Sequence, residues 1–278
     1  MSAVARERLV FSHANGFPAP VYRRMLAALG DGFDVSAVTR FGHDPRYPVA
    51  PGWHGLVAEL VAHVEAGAPP PGRIWLVGHS LGGYLSLLAA QRLGPRVSGI
   101  VLLDSPLIAG LAARVVRCGH RTGLDRHLMP LRQTLARRTR WPDAEAARAH
   151  FAAKPVFSRW DAAALDDYAS AGTVAAADGG RRLLFDSEVE HAIYRTLPTL
   201  SVVRAARALR CPVAFVGGTR SREVRAIGLR ATRCLVGPRL RRVEGGHLFP
   251  MERPAETAQA VRASIDGMRE SAAGSRAA

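Results

Sequence analysis

The sequence predicts an α/β protein: a mostly parallel central sheet flanked by helices, with a helical insertion. Three observations predict it. Runs such as Arg73-Ile74-Trp75-Leu76-Val77 are continuously apolar over the length of a strand, as strands buried on both faces are. Segments with apolar residues at helical spacing fall between these runs, so strand and helix signals alternate as they do in parallel sheets. From about residue 105 to 210 this rhythm stops; no clear strand is visible, and arginine-rich helical segments are punctuated by Pro130, Pro142, Pro155 and Pro198.

In chain order, Leu9-Val10-Phe11-Ser12 reads as a buried strand, followed by the turn signal Asn15-Gly16-Phe17-Pro18. Residues 21–29 have helical spacing and stop at Gly30-Asp31-Gly32, and 33–38 form the next strand. A Pro/Gly-rich loop over 41–52 precedes a helix in which Trp53, Leu56, Val57, Leu60, Val61 and Val64 recur at helical period. Pro69-Pro70-Pro71 forces a break before the strand at 73–77. A helix over 84–93 ends at Gly94-Pro95, and 97–103 is another buried strand. After the insertion, strands return at 212–218 and 240–243, and a helix runs from Pro254 to about Met268, with residues 271–278 expected to fray. The expected division is a core of residues 1–105 and 206–278 around a helical insertion of 106–205.

The 278 residues carry 48% hydrophobic and 22% charged residues, the composition of a globular chain and not of a disordered or fibrous one. Lys and Arg number 38 against 23 Asp and Glu, a formal charge of +15, which raises nucleic acid, anionic membrane surfaces and acidic substrates as partners. Only one of these bases, Lys154, is lysine, a ratio that a GC-rich genome also produces. No zinc-finger spacing, RRM-like aromatic motif or helix-turn-helix signal supports a nucleic-acid partner. Cys118, Cys211 and Cys234 are widely spaced and odd in number, which argues against a disulfide framework or a zinc site. No signal-peptide pattern and no apolar run of about 18 residues is present, so the expected compartment is the cytoplasm.

Gly78-His79-Ser80-Leu81-Gly82 carries the chemistry. A Gly-x-Ser-x-Gly between a strand and a helix places its serine on a sharp, strained turn, and the flanking glycines let strand and helix approach. The helix that starts there aims N–H groups, Leu81 among them, at the place where an oxyanion would form. A serine hydroxyl needs a base, and His247 in Gly245-Gly246-His247-Leu248-Phe249-Pro250 follows the last strand on a glycine loop able to fold back over the sheet edge. His79 is expected to pack beside the nucleophile. The base in turn needs an acid: Asp104, ending the strand beside the elbow strand, is the first candidate and Glu223 the second. The glycine-containing loop His13-Ala14-Asn15-Gly16-Phe17-Pro18 offers a further oxyanion donor, the N–H of Phe17.

In these three motifs, in this order, the sequence resembles the α/β-hydrolase superfamily, particularly its esterase, lipase and haloperoxidase-like members, over about residues 5–105 and 210–270. The resemblance implies an α/β-hydrolase fold with a helical cap at 106–205. It makes Ser80 the nucleophile, His247 the base, and Phe17 and Leu81 the oxyanion donors, with no cofactor and no metal. Many members place the acid after the strand matching 213–216, whereas a subset place it after the strand matching 97–103; this sequence looks like the subset. A serine nucleophile departs from the aspartate of haloalkane dehalogenases and epoxide hydrolases.

The expected activity is hydrolysis of a small carboxylic ester or thioester through an acyl-enzyme. Acyl transfer, C–C hydrolysis or perhydrolysis on the same fold are alternatives, as is a non-catalytic homologue that binds a small ligand. Eight arginines against one acid, Asp125, lie between 114 and 140, and eleven against Glu223 between 204 and 242. Their position suggests an anionic substrate, or contact with an anionic membrane surface near the cleft. Leu107, Ile108, Leu111, Val115 and Val116 are candidates for an acyl pocket, with packing against the core as their expected role.

Overall fold

The computed structural model describes residues 6–67, 73–122 and 131–277. Strand β1 (Glu7–Ser12) runs through a 3-10 turn, Ala19–Tyr22, into α1 (Arg23–Gly30) and β2 (Phe33–Ala37). Helix α2 (His54–Ala66), β3 (Ile74–His79), α3 (Leu81–Leu93) and β4 (Val97–Leu103) follow. These elements match the sequence pattern to within a few residues, except that α3 begins at Leu81 and not at 84. Gly82 and Gly83 are poor helix formers and obscure that first turn, yet no other residue fits there: a Cβ on Gly82 would lie 2.0 Å from the carbonyl oxygen of Ser12. The three prolines at 69–71 and Pro130 lie outside the described residues.

Between β4 and the next core strand come α4 (Gly110–Thr122), α5 (Leu131–Ala136), β5 (Arg140–Trp141), α6 (Ala144–Ala152), α7 (Ala162–Ala171), β6 (Thr173–Ala175), β7 (Arg181–Leu183), α8 (Ser187–Arg195) and α9 (Thr199–Ala208). The expectation of an insertion without strands is corrected here, because β5, β7 and β6 pair antiparallel as a small sheet. Strands of two or three residues are too short to show a period, and their arginines read as helix surface. Asp143, Asp161 and Asp186 cap α6, α7 and α8 by accepting from backbone N–H groups of the first turn. Leu107 and Ile108 are buried as expected, whereas Leu111 and Val115 are exposed, so packing does not account for them.

The insertion is tied to the rest of the chain by polar contacts. The buried Asp167 of α7 pairs with Arg23 and, at 3.4 Å, with Arg24 of α1. Arg40 donates to the carbonyl of Leu184 at 2.7 Å. Helix α9 packs on α3 and buries Val202 and Ala206 in the core, so the expected boundary at 205 falls inside a helix of the central layer.

The chain closes with β8 (Val213–Gly218), α10 (Arg222–Ile227), α11 (Arg230–Val236), β9 (Leu240–Val243), α12 (Phe249–Glu252) and α13 (Pro254–Ala277). Helices α10 and α11 occupy an arginine-rich stretch whose pattern did not announce them. Residues expected to fray instead continue α13 to Ala277, with the Ser271 hydroxyl donating back to the Gly267 carbonyl at 2.8 Å.

The six core strands are all parallel, in the order β2-β1-β3-β4-β8-β9. Alternate side chains of β1 go to opposite faces: Leu9 and Phe11 join Met25, Leu29, Val261 and Ile265 beneath α1 and α13, and Val10 joins Leu56, Leu60, Leu85 and Leu87 beneath α2 and α3. Each such fully buried side chain is worth about 1.5–3 kcal/mol, which makes the sheet a rigid base for the loops at its carboxyl edge. Among the described residues no helix is long and apolar enough to cross a membrane.

Candidate active site

The loops after β1, β3, β4, β8 and β9 converge on the carboxyl edge of the sheet, where ligand sites of open parallel sheets are found. Ser80 sits between β3 and α3 with φ 52° and ψ −112°, a conformation costly for a side-chain-bearing residue. Sterics hold it there. A Cβ on Gly78 would lie 2.2 Å from the carbonyl oxygen of Gly82, and one on Gly83 would lie 2.2 Å from the Ser105 hydroxyl. The N–H of Ser80 donates to the carbonyl of Leu103 at 2.9 Å, and the Ser105 hydroxyl donates to the carbonyl of Ser80 at 2.9 Å. The serine is therefore locked to β4 on one side and to its own helix on the other.

Asp104 follows β4 and also has a left-handed φ, 46°. Among the described residues only Trp53, Ser80 and Asp104 combine a side chain with positive φ, and two of the three stand in this site. The Asp104 carboxylate is buried and satisfied: one oxygen accepts from Gly218 N–H at 2.8 Å, the other from the Ser221 hydroxyl at 2.5 Å and from Nδ1–H of His247 at 2.7 Å. A proton on Nδ1 leaves Nε2 of His247 as the acceptor that a base requires. Burial pulls the His247 pKa down, but the hydrogen bond to Asp104 and the charges of Glu223 and Asp104 outweigh it and hold the group above its ordinary 6.5. Glu223, in the first turn of α10, lies 3.7 Å from the same Nδ1 and is 45% exposed. Of the two acid candidates, only Asp104 makes the hydrogen bond.

The loop of His247 is carried back over the sheet by glycine. Gly245 has φ 146°, and Gly246 passes so close to β8 that a Cβ on Gly218 would lie 2.2 Å from its carbonyl. Buried Glu252 accepts from Gly246 N–H at 2.9 Å. His79 pins the loop from the other side: its Nε2–H donates to the carbonyl of His247 at 2.9 Å, while its Nδ1 accepts from the Tyr22 hydroxyl at 2.7 Å. Burial, reinforced by the neighbouring His247, keeps His79 well below its ordinary pKa and so neutral. His79, next to Ser80 in the chain, thus has a definite structural task, linking Tyr22 to the His247 loop. Within the described residues no hydrogen bond joins Ser80 Oγ to the His247 ring; the ring centre of His79, the residue before Ser80, is 5.0 Å from that of His247.

The first loop is held by buried His13, whose Nδ1–H donates to the Ala14 carbonyl at 2.9 Å and whose Nε2 accepts from Phe41 N–H at 3.0 Å. Desolvation lowers its pKa to about 4. The N–H of Phe17 donates to the carbonyl of Ala14 at 3.1 Å, closing a turn, so this expected oxyanion donor is already engaged. Leu81 opens α3, where the first N–H groups have no acceptor within the helix, and its N–H remains the better placed of the two.

A cleft of about 820 Å³ runs from His247 and Glu223 past Phe17 to Tyr194, with Arg137, Arg159, Arg220 and Arg222 along it. Arg137 pairs with buried Glu190, and Arg220 with Glu244 at 2.6 Å and Glu252 at 3.6 Å. Donor atoms of Asp104, Glu223 and His247 lie within 4.8 Å of one another, a set of metal-ligand type. Three N–H or O–H donors already fill Asp104, which suits a proton-holding cluster better than an ion site. Sequence reasoning missed Ser221 and Tyr22. Ser221 also accepts from Val224 N–H at 3.1 Å as the cap of α10, but its glutamate stands two residues on and not three, so the helix-start pattern is incomplete in the sequence.

The family model described as the alpha/beta hydrolase family matches residues 9–260. A comparison with curated proteins finds no match. Among solved structures, the chain is similar to E-2-(acetamidomethylene)succinate hydrolase, with 25% identity and TM-score 0.74 over 95% of this chain and 92% of that one. It is also similar to an esterase of M. tuberculosis, with 20% identity, TM-score 0.68 and coverage of 95% and 86%. A thioesterase domain from the curacin biosynthetic pathway gives 20% identity, TM-score 0.66 and coverage of 91% and 90%. A family match over nearly the whole chain, on a six-stranded parallel sheet with a serine elbow at its edge, means that this protein belongs to the alpha/beta hydrolase family.

Proposed function

We propose that the protein is a serine hydrolase that cleaves a small carboxylic ester or thioester through an acyl-enzyme. The observation that carries this reading is the 2.7 Å hydrogen bond from His247 Nδ1 to Asp104, one strand away from the strained Ser80. In this mechanism Ser80 Oγ attacks the carbonyl carbon and its proton passes to His247 Nε2. The N–H of Leu81 receives the oxyanion, and that of Phe17 joins it by sharing itself with Ala14. The imidazolium then protonates the leaving group, and water activated by the same histidine releases the acid. The insertion between β4 and α9 acts as the cap over this edge, and the expected setting is the cytoplasm.

Within this reading the arginines along the cleft favour an anionic substrate. The solved structure at 25% identity is named for hydrolysing a succinate that bears an acetamido group. Amide cleavage of a carboxylate-bearing substrate is therefore the second reading, and it uses the same Ser80, His247 and Asp104. Replacing Ser80 by Ala tests both: turnover of a short-chain p-nitrophenyl ester and labelling by a fluorophosphonate probe should both vanish, and retention of either overturns the assignment. For the anionic preference, KM for a monoester of a dicarboxylic acid should rise with salt while that of a neutral ester stays flat.

A further inference from the structure

His247 stands between two carboxylates delivered by adjoining strands. Asp104, from the end of β4, bonds Nδ1 at 2.7 Å; Glu223, from the helix after β8, lies 3.7 Å from the same nitrogen and 3.3 Å from the Ser221 hydroxyl. That hydroxyl has one proton, and at 2.5 Å it is given to Asp104. The Glu223 oxygen thus lies about 0.5 Å beyond hydrogen-bond reach of Nδ1, in a partly exposed position that packing does not require.

From this geometry, and resting on the reading of Ser80 and His247 as nucleophile and base, we infer that Glu223 is a second, positioning carboxylate for His247. It stabilises the imidazolium that forms when Nε2 takes the Ser80 proton, and it is placed to draw in the hydrogen bond from Nδ1–H when Asp104 cannot accept it. The proton on Nδ1 stays where it is; the positive charge is shared between two acids.

The other charged groups around the ring leave this role open. His79 is neutral, Arg220 is taken by Glu244 and Glu252, and Arg137 across the cleft is taken by Glu190. Arg222, beside Glu223 on α10, and Arg159 are the other cations of the cleft wall. The raised pKa of His247, to which the Glu223 charge contributes alongside Asp104, agrees with this balance.

The test is the pH dependence of kcat/KM for a p-nitrophenyl ester in wild type, Glu223→Gln, Glu223→Asp, Asp104→Asn and the Asp104→Asn/Glu223→Gln double variant. Loss of a charge at this separation in a partly solvated site should move the acid limb of Glu223→Gln down by about half to one pH unit. Glu223→Asp should restore part of that shift, and the double variant should fall at least about tenfold below Asp104→Asn alone. A role confined to capping or packing would move neither. An acid limb unchanged in Glu223→Gln, or equal activity of Asp104→Asn and the double variant, overturns the inference. Fluorophosphonate labelling run in parallel separates the two levels. If Ser80→Ala still reacts, the nucleophile reading has failed and takes Glu223 with it; if Ser80→Ala is silent and Glu223→Gln behaves as wild type, Glu223 alone has failed.

Discussion

Around Ser80 the chain is fixed by backbone sterics: Gly78, Gly82 and Gly83 stand where any Cβ would collide with β1, the elbow or Ser105, and the serine is pushed into a left-handed turn. Around His247 it is fixed mainly by donors and acceptors, with Asp104, Ser221, His79 and Tyr22 each spending a polar atom on the arrangement. A sterically fixed group fails when volume is added. A hydrogen-bonded group fails when one partner is removed, and it fails by degrees. The two halves of the site therefore predict different responses to mutation.

The largest effect belongs to the steric half. Gly82→Ala would place a Cβ 2.0 Å from the carbonyl oxygen of Ser12, which is backbone of the central sheet and has little freedom to yield. The strain should cost about 3 kcal/mol, lowering Tm by roughly 6–12 °C in a chain of this size, and ester turnover should be lost with it. A variant with wild-type Tm in a thermal melt and normal kcat would mean that the elbow tolerates volume, and the contrast would collapse.

Asp104→Asn comes next and is the strongest break available on the polar side. The Nδ1–H of His247 loses its carboxylate acceptor, and the more distant Glu223 sets the ring's tautomer only in part. The expected loss in kcat is about 10⁴, the scale for a triad whose acid is converted to its amide, with fluorophosphonate labelling slowed in parallel. A loss of less than about tenfold would mean that the acid is not Asp104 in function, whatever its geometry.

These two halves also differ in how far the sequence revealed them. A close backbone approach dictates residue identity at fixed local spacing, so the elbow, the glycines before His247 and the buried strands were all legible. The polar partners are far apart in the chain. Ser221 lies 117 residues from Asp104, and Tyr22 lies 57 from His79. Such bonds leave no local pattern, and neither serine nor tyrosine at a loop or helix end is unusual enough to attract notice. The short strands of the insertion were hidden for a related reason, since their two or three residues gain their pairing from distant chain. Asp104 was an intermediate case: a strand-end aspartate is locally visible and ranked ahead of Glu223 in the sequence, but its hydrogen bond to His247 needed the third dimension.

Ser221→Ala sharpens the polar side at smaller magnitude. It removes the donor to Asp104 Oδ2 and the cap on Val224 N–H in one step. Each loss is worth about 1 kcal/mol, so stability should fall by about 1–2 kcal/mol in urea unfolding and kcat by about tenfold, with KM little changed. Ser221→Thr keeps the hydroxyl and should recover most of both. A variant in which KM rises and kcat holds would place Ser221 in substrate binding and not in support of the acid.

Tyr22→Phe should have the smallest effect on catalysis, because it acts two bonds away from the base. The phenol donates to His79 Nδ1 and accepts from Ala14 N–H, and His79 passes the constraint to the carbonyl of His247. Removing the hydroxyl leaves two buried groups unpaired, which should cost about 1–3 kcal/mol of stability but only a few-fold in kcat/KM. The pH dependence gives an independent check on the same residue pair. His79 is held below its ordinary pKa of 6.5, and His13 is held at about 4, in both cases mainly by burial. Below pH 6.5 the unfolded chain takes up protons that the folded chain refuses, so stability should fall as pH drops from 6.5 towards 4, by up to about 1.4 kcal/mol per pH unit for each histidine. In a His79→Gln variant that slope should be reduced while ester turnover at neutral pH survives in part. An unchanged slope in chemical denaturation between pH 4 and 6.5 would mean that His79 is protonated in the fold, and a protonated Nδ1 could not accept from Tyr22.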